Sequence, residues 1–273
     1  MSLFFLFLFA CGGRKKAPVA VAPSPPPAWR VPRPGLGMDD VFHFTLPEAK
    51  TSQQSKRLKL WATYYYLPVH EYSEKNEYPL LDHEGNKLGP TLDEEDWCMA
   101  ALQGSVVIRK ANGVKQTYNY HKLAKEMQVK CGAYYRYTSS GRIRFRKATG
   151  PFGDGATGRY ILFPYRSIAV DKTRIPYGTI VYIPKARGLK ISLQNGKTFT
   201  HDGYFFANDT GGAIKGRHID VFQGVEIQDT FTHFIKSTKK GTFQAYHIKD
   251  KELIRLFHMA HLKEAPYLYE SGF

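Results

Sequence analysis

The sequence predicts a mainly β protein, one compact domain built as a small barrel, with irregular excursions and a helix near its C-terminal end. Three observations carry this expectation. The 273-residue chain holds 18 Tyr and 18 Phe, types that suit a pleated, half-buried surface. Short runs alternating apolar and polar residues, separated by turn residues, recur through the second half. A helical period occurs only near the end, where Leu253, Ile254, Leu256, Phe257 and Ala260 form one apolar face. With 42% hydrophobic residues the chain has enough apolar material for a real core, which excludes wholesale disorder.

The N-terminal residues read differently. Residues 2–10, SLFFLFLFA, are apolar but too short to span a bilayer. They end at Cys11, ahead of Gly12-Gly13-Arg14-Lys15-Lys16, in the pattern of a bacterial lipoprotein signal with Leu8-Phe9-Ala10-Cys11 as the lipobox. Phe9 is bulkier than usual at its position, and no basic residue precedes the apolar run. The expectation is export, with residues 1–11 as signal and a lipid on Cys11. Residues 12–56 are a tether and lead-in; APVAVAPSPPPAWRVPRP, residues 17–34, is Pro-rich, extended and core-free.

The folded part is expected over residues 57–248. Residues 57–67, RLKLWATYYYL, read as a strand ended by Pro68. Residues 71–97 carry nine acids against two lysines and read as a loop-rich, solvent-facing segment. Residues 105–109 are the next strand. From 109 to 147 the chain has eleven Lys/Arg and a single acid, Glu126, interleaved with Tyr118, Tyr120, Tyr134, Tyr135, Tyr137 and Phe145. That pattern is open between a groove for a polyanion or sugar rings and a solvated basic surface with ordinary packed tyrosines. Residues 150–159 are a Gly-rich loop without phosphate-loop spacing. Short strands are expected at 160–164, 167–170, 179–184, 204–209 and 217–222, and the helix at 249–262, within a final segment 249–273.

The formal charge of +15 favours an anionic partner, and nucleic acid, anionic lipid and the acidic peptidoglycan polymer all fit it. Cys98 and Cys131 are open between a disulfide and two buried free thiols, since spacing cannot test geometry. No Cys/His cluster has zinc spacing, so neither a metal nor a cofactor is expected.

The chemistry is concentrated in residues 201–224, HDGYFFANDTGGAIKGRHIDVFQG. Asp209 and Asp220 lie on either side of a small-residue turn, Thr210-Gly211-Gly212-Ala213, with strand-like residues before and after it. Two strands joined this way bring their carboxylates to one end of a sheet. Neighbouring carboxylates repel, so one of them then holds a proton near neutral pH, as a general acid must. The competing reading is a polar turn with two solvated aspartates.

Three segments read together carry a resemblance: SIAVDKTRIPYGTIVYIP (residues 167–184), FANDTGGAIKGRHIDVFQG (206–224) and LWATYYYLP (60–68). The chain resembles the three-aspartate (3D) domain family, with Asp171, Asp209 and Asp220 as the eponymous aspartates. More narrowly it is similar to the membrane-bound lytic transglycosylase A group of outer-membrane lipoproteins. The resemblance implies a six-stranded double-psi β-barrel with a basic insertion at about 109–159, shorter than the group's usual second domain. It implies cleavage of the MurNAc-GlcNAc bond of peptidoglycan without water, leaving 1,6-anhydro ends, with Asp220 as acid/base and Asp209 beside it. Tyr64 and Tyr65, Ser167, Thr210, Gly211, Gly212 and Lys215 are the substrate-side candidates. One of the two tyrosines should face the core. Asp171 is open between a substrate role and a structural acceptor, and Lys215 between a substrate contact and a solvated lysine. The implied setting is the periplasmic face of the outer membrane of a Gram-negative-type cell, with a monomer bound through lipid and glycan strands as partner. A non-catalytic peptidoglycan-binding lipoprotein is the alternative; nucleic acid is set aside because the chain is expected to be exported.

Overall fold

In the computed structural model of the chain, residues 45–135, 138–192, 198–225, 231 and 234–263 are described. The elements run β1 (Gln54–Tyr65), β2 (Val69–Glu71), β3 (Tyr78–Leu81), β4 (Lys87–Leu92), α1 (Glu94–Gln103), β5 (Ser105–Arg109), β6 (Lys115–Leu123) and β7 (Ile143–Lys147). They continue with β8 (Ser167–Val170), β9 (Thr179–Tyr182), β10 (Lys190–Ser192), β11 (Thr198–Thr200), β12 (Tyr204–Asp209), β13 (His218–Phe222), β14 (Phe243–Ile248) and α2 (Lys251–His261).

Six strands close a barrel in the order β1-β13-β8-β12-β9-β14. β1 runs parallel to β13 and β8 parallel to β12, while the other neighbours are antiparallel. A parallel pair cannot be joined by a hairpin, so the chain crosses over the barrel to reach both, as the double-psi expectation requires. Alternation then sorts the side chains. Ala62, Ile168, Val170, Ala207, Ile219 and Val221 belong to the interior cluster. Their neighbours in sequence, including Thr63, Ala169 and Asp220, therefore face outward.

Everything between β1 and β8 lies outside the ring. A second sheet, β2-β5-β6-β7, carries α1 on one face, where Trp97, Val106, Ile108, Tyr118 and Phe145 form a separate core. Val107, pointing the other way on β5, joins Tyr65, Leu67, Phe152, Ala169 and Phe222 in a cluster against the barrel's outer wall. Cys98 and Cys131 are disulfide-bonded, with Cα atoms 5.4 Å apart and a separation of 33 positions in sequence. The bond fastens α1 to the chain following β6; a closed loop of that length contributes about 3–4 kcal/mol in the chain-entropy picture.

Two local expectations are corrected. Residues 71–97 are not mainly loop, since they hold β3, β4 and the start of α1. The acids that read as solvated surface are in part a helix start. The Asp93 side chain accepts from Asp96 N, Glu94, Glu95 and Asp96 fill the first turn, and Gly104 ends the helix at φ 77°. Residues 160–164 form no strand and make only single bridges, Asp154 with Ile161 and Tyr160 with Leu262. The basic, aromatic stretch is partly architecture as well. Tyr118 and Phe145 are core, Arg144 is buried, and Arg146 pairs with Asp154, while Tyr120 and Tyr134 stay exposed.

Candidate active site

Asp209 and Asp220 stand on the outer wall of the barrel on the two strands that flank β8. Each has Ala169 as its register partner. Ala169 thus leaves a low saddle between two carboxylates, roughly 10 Å apart at their Cα atoms from two strand spacings. One side of the row continues onto β1, where Thr63 is the partner of Asp220.

A bulge in β12 makes this possible. Phe206 and Ala207 pair with Ser167 and Ile168, and regular spacing would place Asn208 opposite Ala169. The register shifts there, and Asp209 takes the position instead. The Gly-rich loop braces the shift: Ala156 N donates to Asn208 O at 2.9 Å, and Asn208 Nδ2 donates to Ile161 O at 3.0 Å. A Cβ on Gly155 would lie 2.3 Å from Asn208 O, so only glycine allows that approach.

Each carboxylate receives one hydroxyl from β1. Tyr65 donates to Asp209 Oδ2 at 2.5 Å, and Thr63 donates to Asp220 Oδ1 at 2.7 Å. Both aspartates are half-buried. Burial pushes the Asp220 carboxyl up to about 7; the Thr63 hydrogen bond pulls it down and the Asp209 charge adds to the rise. Burial likewise lifts Asp209 to about 6, against hydrogen bonds from Tyr65 and from the Thr210 backbone. Burial, followed by the charge of Asp209, holds the Tyr65 hydroxyl well above its ordinary range, so it remains a donor. The arrangement can keep a proton on Asp220 near neutral pH and take it back.

The other candidates are placed unevenly. Tyr65 is inside the row, while its neighbour Tyr64 is 40% exposed and points elsewhere, as alternation requires. Ser167 is fully buried and accepts from Phe163 N at 2.9 Å, so it lines no cleft. Asp171 accepts from Gly216 N at 2.8 Å and from the Thr173 backbone and hydroxyl, and these bonds hold it down at about 2. It staples the end of β8 to the turn before β13. Thr210, Gly212 and Lys215 are exposed on that turn. A Cβ on Gly211 would press on Ile214 Cγ1 at 2.8 Å, whereas one on Gly212 would meet open space. Gly211 therefore serves the turn's own packing. Cys11 lies outside the described residues. Among the described residues no cluster of His, Cys, Asp or Glu could hold a metal ion.

Three residues of the site carried no signal in the reading of the sequence. Thr63 is one, since hydroxyls abound on strands. His218 is another: its Nε2 lies 2.7 Å from Thr63 Oγ1. Trp61 stacks on the His218 ring, centroids 3.6 Å apart and planes 8° from parallel. The period-2 pattern of WATYY and HID would have put all three on one face, had the β1/β13 pairing been known.

Residues 166–231 match the 3D domain, a stretch that takes in β8 to β13 and both carboxylates. The chain thus carries a 3D domain. No curated protein sequence matches it. Among solved structures it is similar to MltA of Escherichia coli with bound chitohexaose, at 18% identity over 70% of this chain and 72% of that one, TM-score 0.46. A membrane-bound lytic murein transglycosylase from Agrobacterium tumefaciens is similar at 15% identity over 72% and 76%, TM-score 0.46. LtgG, a lytic transglycosylase of Burkholderia pseudomallei, is similar at 20% identity over 70% and 71%, TM-score 0.36.

Proposed function

We propose that this chain is a peptidoglycan lytic transglycosylase that cleaves the MurNAc-GlcNAc β-1,4 bond and leaves a 1,6-anhydro-MurNAc end. The observation that carries the reading is Asp220, held near pKa 7 beside Asp209 on the outer wall of a 3D-domain barrel. Protonated Asp220 gives its proton to the glycosidic oxygen as the C1–O bond breaks. Its carboxylate then takes the proton of the MurNAc C6 hydroxyl as that oxygen bonds to C1, which restores the acid. Attack from within the same sugar supplies effective molarity and needs no side-chain nucleophile. Hydrolysis would require a second carboxylate to activate water or form a covalent intermediate. Asp209 instead has one oxygen engaged by Tyr65, which suits it to tuning Asp220.

In this reading the +15 charge suits an acidic wall polymer, and a lipid on Cys11 tethers the enzyme to the outer membrane's periplasmic face. Mass spectrometry of muropeptides after digestion of purified peptidoglycan is the direct test, because anhydro and hydrated ends differ by one water. Asp220→Asn is expected to lower anhydromuropeptide release on the order of 10²–10⁴-fold. Full release by that variant would remove Asp220 from its role. Sedimentation with peptidoglycan but no release by the unaltered protein would favour a binding module.

A further inference from the structure

We propose that Thr63 and His218 form a hydroxyl switch that keeps Asp220 hydrogen-bonded in both of its protonation states. The inference rests on the catalytic reading of Asp220 and concerns how that residue is served. Thr63 Oγ1 lies 2.7 Å from Asp220 Oδ1 and 2.7 Å from His218 Nε2. A hydroxyl has one proton, so it donates to one of these neighbours at a time and can accept from the other. His218 Nδ1 faces the Ala213 carbonyl at 3.4 Å, which assigns the ring proton to Nδ1 and leaves Nε2 as an acceptor. Trp61, stacked on the imidazole, fixes the plane in which that lone pair points. Burial keeps the imidazole pKa below its ordinary value, against the Ala213 carbonyl and with help from Lys239. The ring is therefore neutral at pH 7.

Two states follow. When Asp220 is protonated, its O–H donates to Thr63 Oγ1, and the Thr63 O–H donates to His218 Nε2. When Asp220 has passed its proton to the leaving oxygen, the Thr63 hydroxyl turns about its Cβ–O bond and donates to the new carboxylate. The Thr63 proton never leaves its oxygen; only its direction changes. The proton that moves travels from Asp220 to the glycosidic oxygen, and one returns from the C6 hydroxyl. Thr63 and His218 are positioning residues, because neither needs to touch the sugar. The titratable and charged groups around the pair are Tyr65 from β1, Asp209 from β12 and Lys239 from the loop before β14. β8 places Ala169 opposite Asp220. Among the described residues, the hydrogen-bond neighbours of Thr63 Oγ1 are His218 Nε2 and Asp220 Oδ1.

The test compares the unaltered protein with His218→Phe, Thr63→Val and Thr63→Ser. Carboxyl-carbon NMR follows the titration of Asp220, and muropeptide release is measured against pH. His218→Phe keeps an aromatic ring against Trp61 but removes the acceptor, so Thr63 donates to Asp220 permanently. The Asp220 titration and the alkaline limb of activity should then move down by about one pH unit. Thr63→Val removes the donor, and both should move up by about one unit. Thr63→Ser keeps the hydroxyl and should hold the Asp220 titration where the unaltered protein has it. Shifts in the same direction for the first two variants, shifts of neither by more than about 0.3 unit, or a serine variant that titrates like the valine one would overturn the switch. A purely structural role would lower activity without these opposed shifts. Circular dichroism checks each fold, and Thr63→Ala replaces the valine variant if that one does not fold. Absence of anhydro product from the unaltered protein would defeat the transglycosylase reading, while the opposed NMR shifts would still decide the switch.

Discussion

Asp209 and Asp220 have the same side chain and the same register partner, yet they are served differently. Asp209 is gripped by a phenol at 2.5 Å, and Asp220 by an aliphatic hydroxyl at 2.7 Å that it shares with His218. Burial raises both, and the charge of Asp209 is among the causes only for Asp220. The sign of the stability effect follows. A carboxyl whose folded pKa lies above its unfolded value binds its proton more tightly in the native state. That stability is fully present below about pH 4 and is lost as pH rises through about 7. The buried imidazoles His201 and His261, both pushed down to about 3, titrate in the opposite sense, so the readout must be a difference. Asp220→Asn should be more stable than the unaltered protein by a margin that grows from pH 4 to pH 8 and reaches about 4 kcal/mol. Calorimetry at several pH values measures it, and a margin independent of pH would contradict an elevated Asp220. The acid pair was legible from the two aspartates and the glycine turn between them. The resemblance set Asp220 apart from Asp209 as the expected acid/base, but the physical basis of that inequality was not legible, because it depends on hydroxyls more than 140 residues away in sequence.

At the scale of elements, the β12 bulge decides the aim of Asp209, and a loop far off in sequence holds the bulge. Gly155→Ala would drive a methyl to 2.3 Å from Asn208 O. The backbone there must shift, so we expect a loss of about 1–3 kcal/mol in chemical denaturation. Activity should fall further than stability, because Asp209 would rotate out of the row. Gly212→Ala, with open space around the new methyl, should leave the melting temperature unchanged and serves as the control. Reduction of Cys98–Cys131 should cost about 3–4 kcal/mol, read as a lower melting temperature with dithiothreitol than without it. Most barrel strands could be placed from alternation alone, and β8 and β12 have the expected bounds. α1 was hidden because its helical period is weak while its acids dominate the composition. Its signature lay in the caps, Asp93 and Gly104, rather than in an apolar stripe.

Across the molecule, two buried carboxylates join parts that no local pattern connects. Asp202 pairs with Arg166 inside the fold and accepts from Leu46 N, which fastens the lead-in segment to the barrel. Asp154 accepts from Thr149 N and Gly150 N and pairs with Arg146 of β7 and Lys263 beyond α2. It thereby ties the second sheet, the Gly-rich loop and the C-terminal helix together. Asp154→Ala leaves those donors without their acceptor and should cost about 3 kcal/mol, measured by urea denaturation. Alternation and turn chemistry are local, so by itself the sequence determined a mainly β domain, a terminal helix and a carboxylate pair at a glycine turn. Local patterns carry no information on which strand lies beside which. Only the tertiary structure decided that β8 sits between the two aspartates and that β1 supplies their hydroxyls. It also decided that a bulge turns Asp209 outward and that His218 stands behind Thr63. The physical reason is that register, burial and a shared proton are properties of neighbours in space, and the barrel's parallel crossovers make those neighbours distant along the chain.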